Sequence, residues 1–133
     1  MVHALKMIRD LLMPGGYLID IRPKDIPAEI YGEVEKTSHL LGYIKETDDY
    51  IEYRQAAQAV ECVLSEGLFS LVRSDQFDFY IHSDTLSELQ AFLAEEWKDA
   101  IIPGEVLTLV NTLHPVRISV RNFVYANLMS LER

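Results

Sequence analysis

Apolar residues recur at helical spacing near the start of the chain. Ala4, Leu5, Ile8, Leu11 and Leu12 fall on one face, and Lys6, Arg9 and Asp10 take the other. The pattern predicts a helix over 3–13. Pro14-Gly15-Gly16 ends it, because glycine can supply a left-handed cap and proline cannot continue the helix. Tyr17-Leu18-Ile19-Asp20-Ile21 is a short, nearly continuous apolar run, which predicts a strand buried on both faces, as in a parallel sheet. Arg22-Pro23-Lys24 closes it. A hairpin is expected over 29–46: Glu33-Val34-Glu35 alternates, Lys36-Thr37-Ser38 turns, and His39 to Ile44 returns. Gly42 in the returning strand points to a bulge or a close backbone approach. The polarity of this segment places it at the periphery.

The longest helix is predicted over 48–66. Thr47 is its expected cap, and Asp48 and Asp49 suit the positive end of the helix dipole. Tyr50, Tyr53, Ala57, Val60 and Leu64 form its expected buried stripe, and Gly67 stops it. Strands follow over 68–73 and 77–83, with Ser74-Asp75-Gln76 either a turn between them or a bend within one long strand. Phe77, Phe79 and Ile81 alternate with Asp78, Tyr80 and His82. Thr85-x-x-Glu88 is a capping box that opens a helix through Trp97. Pro103 suits the start of another helix through Leu113, which His114-Pro115 ends. Val116 to about Met129 reads as a long last strand, bulged near Asn122. The order predicts an α/β or α+β fold with a mixed sheet, in one domain over 1–133.

Composition narrows the function classes. The chain has 133 residues, about one domain's worth. Its net charge of −9 repels phosphate backbones and anionic lipid, so nucleic acid and membrane surfaces are poor partners. Arg117 and Arg121 are too thin a basic cluster to overturn that. The one cysteine, Cys62, excludes an intrachain disulfide and fits a reducing compartment. It sits among Ala59, Val60, Val63 and Leu64 and reads as a small buried hydrophobe. Lys6, Arg9 and Asp10 interrupt the apolar N-terminus, which is unlike a signal peptide, and no run approaches the ~18 apolar residues of a membrane span. These features predict a soluble, cytoplasmic protein.

The stretch from Ala4 through Met13-Pro14-Gly15-Gly16 to Tyr17-Leu18-Ile19-Asp20 resembles a segment of class I S-adenosylmethionine-dependent methyltransferases. There a helix ending in Pro-Gly-Gly leads into the fifth strand of a Rossmann-like sheet. The resemblance implies strands five to seven, with the seventh antiparallel between the other two. It would make 48–66 the helix after strand five, 77–83 part of strand six and the segment from Val116 strand seven. The helices between Thr85 and Leu113 resemble an insertion many members carry, and the hairpin over 29–46 is a departure. The family binds its cofactor with strands one to four, through a glycine-rich loop after a strand and an acidic residue after the next one. The six glycines, 15, 16, 32, 42, 67 and 104, make no such loop. Gly15-Gly16 follows a predicted helix, the wrong context for one. The resemblance therefore implies a truncated, C-terminal half that is not catalytic alone. S-adenosylmethionine would bind only if a partner completes the fold.

Four residues are candidates for a substrate pocket. Asp20 and Arg22 lie at the carboxyl end of the first strand, where open α/β sheets place ligands. Their bland reading is a strand-end ion pair. Tyr80 and His82 share a strand face with Asp78, as acid–base groups do, or as residues of a solvated sheet face do. The spacing supplies no third metal ligand and no nucleophile elbow. Tyr50 and Tyr53 either line a pocket or belong to their helix's core stripe. If the first strand lacks a neighbour, its apolar edge needs cover. A second copy, a separately encoded N-terminal half, or the hairpin could provide it. The expected role is a homodimeric interaction module. The alternatives are the substrate-recognition half of a split methyltransferase and an independent small-molecule binder at Asp20 and Arg22.

Overall fold

A computed structural model of the chain describes residues 1–131, which pack as two compact units. The first holds residues 1–25, 51–77 and those from 124 onward; the second holds 26–50 and 78–123. Two long strands, β5 (Phe69–Ser83) and β7 (Arg117–Leu131), contribute a part to each unit. Among the described residues the fold is mixed α/β, with four helices and a mostly antiparallel sheet.

The first unit contains α1 (Val2–Leu11), β1 (Tyr17–Pro23) and α2 (Ile51–Ser65). Leu5 of α1 packs with Ala59, Val60 and Val63 of α2 and with Phe69, Met129 and Leu131. Full burial of such side chains contributes about 1.5–3 kcal/mol each. The helix ends as its pattern predicts, but no glycine caps it. Leu12 turns to extended backbone, and Gly15, at φ +77°, serves the following turn, where the Gly16 N–H donates to the Met13 carbonyl at 2.8 Å. α2 starts after the predicted position because Thr47 is not its cap. The Thr47 N–H and hydroxyl both donate to Asp99. Of the predicted stripe Val60 is buried and Tyr53, Ala57 and Leu64 are half-buried, while Ala59 and Val63 beside them complete the buried face.

The expectation for β1 needs correction. The strand pairs antiparallel with β7, from Tyr17 opposite Ser130 to Pro23 opposite Val124, and stands at the end of the strand order. Only one of its faces is covered. Leu18, Asp20 and Arg22 are partly buried, while Tyr17, Ile19 and Ile21 are 61%, 65% and 62% exposed. An apolar run does not distinguish a strand buried on both faces from an edge strand with one apolar face left open.

The second unit holds the hairpin of β2 (Glu29–Val34) and β3 (Thr37–Tyr43), with α3 (Leu86–Glu96) and α4 (Gly104–Leu113). Its two-residue turn is Glu35-Lys36, both at positive φ, the geometry that matches the twist of paired strands. The hairpin is not peripheral. Ile30 and Leu41 join Ile44, Leu89, Val106, Ile118 and Val120 in the unit's core. Its register shifts between Ile30 and Tyr31, opposite Gly42 and Leu40. A Cβ on Gly42 would lie 2.5 Å from Val106 Cγ2, so both readings of that glycine hold. The short β4 (Lys45–Glu46) pairs with β6 (Ala100–Ile101), and Trp97 Nε1 donates to Glu46. The capping box forms: Thr85 Oγ1 accepts from the Glu88 N–H at 3.2 Å, and the Glu88 carboxylate accepts from the Asp84 N–H at 3.1 Å.

Of the two readings of 68–83, the single long strand holds, as β5. Along β7, Ile118 and Val120 are buried in the part that belongs to the second unit, and Asn127, Met129 and Leu131 in the part that belongs to the first, where Val124 is buried as well. The buried positions change from even to odd, so the two parts of one strand serve two separate cores. In the first unit β7 carries β1 on one side and β5 on the other. Asn127 lies opposite Asp20 and accepts a hydrogen bond from Ser74. In the second unit Asp78 meets Arg121 and His82 meets Ser119, so β5 runs opposite to β7.

Candidate functional site

The candidate pocket residues fall into two groups, Asp20 and Arg22 in the first unit and Tyr80 and His82 in the second. Asp20 and Arg22 share the half-covered face of β1, two residues apart, so their side chains are neighbours. Arg22 Nε donates to both Asp20 oxygens, at 2.8 and 3.1 Å. The Asp20 and Arg22 side chains are only 8% and 14% exposed. Asn127, directly across on β7, donates from Nδ2 to Asp20 Oδ2 at 3.0 Å, and the Ser74 hydroxyl of β5 donates to Asn127 Oδ1 at 2.6 Å. A continuous polar ladder thus crosses three strands. Beside it the Arg22 guanidinium and the Lys24 ammonium approach the Tyr125 ring, at 5.9 and 5.1 Å from its centroid, and Lys24 also donates to Gln76.

Every charge in this ladder is answered from within. Asp20 already accepts three hydrogen bonds, and this leaves little of its carboxylate for a ribose hydroxyl or a catalytic proton. The glycine-rich turn before β1 follows α1 rather than a strand, so its amides do not form the loop that would receive a cofactor's carboxylate.

In the second unit His82 Nδ1 lies 2.6 Å from the Ser119 hydroxyl, and its ring stacks on Tyr80 at 5.7 Å. Asp78 does not pair with His82. It accepts from Arg121, which also bridges to Glu29. The hydrogen bond to Asp78 holds the Arg121 guanidinium still more firmly protonated than usual. The Tyr31 hydroxyl donates to Glu29 at 3.0 Å, and this bond, with burial, raises its pKa. Among the described residues the serine and histidine have no third member, and Ser119 sits inside a paired strand between neighbours whose amides serve the sheet. The arrangement suits cross-strand stabilisation rather than acyl transfer.

Elsewhere, Tyr50 is a core residue. It is buried, its hydroxyl donates to the Ile44 carbonyl at 2.7 Å, and burial followed by the nearby carboxylates raises its pKa. Tyr53 is half-buried. Cys62 is half-buried too, and its hydrogen bond to Glu66 pushes the thiol pKa up. That is the opposite of a reactive thiolate. Two shallow hollows, of about 370 and 300 Å³, are lined by other residues, one around Met1, Glu52 and Gln55 and one around Gln90, Lys98 and Leu107. Among the described residues no group of three or more His, Cys, Asp or Glu could hold a metal ion, and no helix is long and apolar enough to cross a membrane.

Sequence reading missed Asn127, Ser74, Tyr125 and Ser119. Each acts across a strand pair, and the pairing register is not written in local periodicity. Compared with known protein families, curated proteins and solved structures, the chain matches none.

Proposed function

We propose that this chain is a methyltransferase-like domain that works by association. It binds no cofactor by itself and offers the open edge of β1 to a partner, foremost a second copy. The observation that carries this reading is the edge itself, an apolar strand paired on one side only, with Tyr17, Ile19 and Ile21 each more than 60% exposed. Edges of this kind are templates for another chain, and proteins normally blunt them with charge or cover them. The family likeness is supported by the strand order in which β7 lies between β1 and β5, antiparallel to β1 and opposite in direction to β5. In the resembled fold, strand four occupies the place beside the strand that β1 corresponds to.

Calorimetric titration of the chain with S-adenosylhomocysteine tests the cofactor half of this reading. No heat of binding at millimolar ligand is the expected result, and micromolar binding would contradict it. The same strand order favours a second reading, the substrate-recognition half of a split methyltransferase. Activity that appears only on mixing with a polypeptide supplying strands one to four would select it.

A further inference from the structure

The backbone of β1 specifies how a second copy would seat. The Leu131 N–H donates to the Gly16 carbonyl at 3.0 Å, and Gly16 lies one step beyond the Tyr17–Ser130 pair. In an antiparallel ladder, residues whose backbone groups point at the partner alternate with residues whose groups point away. Gly16, Leu18, Asp20 and Arg22 therefore direct their N–H and C=O groups at β7. Tyr17, Ile19 and Ile21 direct theirs at the open edge. These same three residues carry the exposed apolar side chains. Pro23 follows with a carbonyl but no N–H to offer.

We infer that two copies pair β1 against β1 antiparallel, about a two-fold axis at Ile19. This rests on the proposed association through β1 and gives that edge its partner and register. Ile19 would face Ile19 of the second copy, and Tyr17 would face its Ile21. The three N–H and three C=O groups of each edge then all find partners. Pro23 falls opposite Gly15, beyond the last bond, where its missing N–H costs nothing. The side chains on the open face meet as Ile19 on Ile19 and Tyr17 on Ile21, an aromatic–aliphatic pairing that antiparallel strands favour.

Two further observations favour a second copy. Residues 1–25 carry Lys6, Arg9, Arg22 and Lys24 against Asp10, Asp20 and Asp25, a net of +1, so the rest of the −9 chain carries −10. Two acidic molecules would thus meet through a segment that is not acidic, and its most central charge, Asp20, is already neutralised by Arg22. Leu11 and Met13, just ahead of the strand, are also strongly exposed. At roughly 100 Å² apiece, these five apolar side chains offer about 500 Å² per copy. Edge-to-edge pairing covers only the flanks of these side chains, so with the paired backbone the contact is a modest one, below the ~1,200 Å² of a standard interface.

The test is disulfide trapping in the Cys62→Ser background, with light scattering on the same sample. Ile19→Cys places two thiols across the axis at the ~5.5 Å Cα separation of a directly hydrogen-bonded pair, within disulfide reach. Leu18→Cys, on the covered face, and Leu40→Cys, exposed in the second unit, are the controls. The Ile19→Cys protein is expected to cross-link about a hundred-fold faster than Leu40→Cys at micromolar protein, because pairing raises the effective thiol concentration toward millimolar. A dimer whose Ile19→Cys variant traps no faster than the two controls overturns the register and leaves association intact. A monomer that traps in none of the three variants overturns both.

Discussion

Asn127 faces Asp20 across the β1–β7 pair, and its amide nitrogen lies 3.0 Å from the carboxylate that Arg22 grips from the other side. The three groups form one network, in which each satisfies another's buried hydrogen-bonding capacity. Asp20→Ala leaves a largely buried guanidinium without its counter-charge and is expected to cost roughly 3–5 kcal/mol. Asn127→Ala removes the bonds to the Ser74 hydroxyl and to Asp20 Oδ2, an oxygen that keeps its bond from Arg22, and is expected to cost roughly 1–2 kcal/mol. Urea unfolding measures both. The double variant should lose less than the sum, because the two changes share one network.

Tyr50 links stability to pH. Folding raises its pKa above the ordinary 10.0, through burial first and the surrounding carboxylates second, so the fold holds the protonated form. Its contribution is complete below about pH 10 and is lost as pH rises through the higher folded value. Stability should therefore fall in the alkaline range. Tyr50→Phe should be less stable at neutral pH by about 1 kcal/mol, through the lost bond to the Ile44 carbonyl, and should show a shallower alkaline decline. Thermal melts from neutral to alkaline pH compare the two slopes.

Gly42→Ala should destabilise the second unit by roughly 1–3 kcal/mol, since the new Cβ would stand 2.5 Å from Val106 Cγ2. Val106→Ala removes the colliding methyl but opens a core cavity. The paired variant should therefore be more stable than the sum of the two single losses implies, as denaturant titration would reveal.

Cys62 should be a slow thiol. Its hydrogen bond to Glu66 favours the protonated form, and alkylation needs the thiolate. Glu66→Gln should speed iodoacetamide labelling at pH 8. An unchanged rate would mean that the carboxylate does not set the thiol's acidity.

Most of the elements were legible in the chain because their signals are local. The helical spacing around Leu5, the Thr85–Glu88 box and the stop at His114-Pro115 each act within a few residues. What was not legible depends on partners far along the chain. Tyr17 to Ile21 reads as a strand but not as an edge, because only the pairing with β7 shows which side stays open. Ile30 and Leu41 look peripheral among polar neighbours and become core only when α3 and α4 pack on the hairpin. Thr47 looks like a cap until Asp99 takes both of its donors. Of the candidate site, Asp20 and Arg22 form the ion pair that was the bland reading of these two residues. That Asn127 donates to the same carboxylate from across the strand pair required the register.

The measurement that bears most directly on the account is the solution mass of the chain from about 1 to about 100 micromolar, the range in which a modest interface forms. The account predicts twice the 15.3 kDa chain mass in the upper part of that range. An Ile19→Lys, Ile21→Lys variant should stay folded and monomeric, because charge on an edge strand blocks pairing without touching the covered face. A wild-type chain that remains monomeric throughout, or a lysine variant that dimerises equally well, would contradict the claim that this protein works through the open edge of β1.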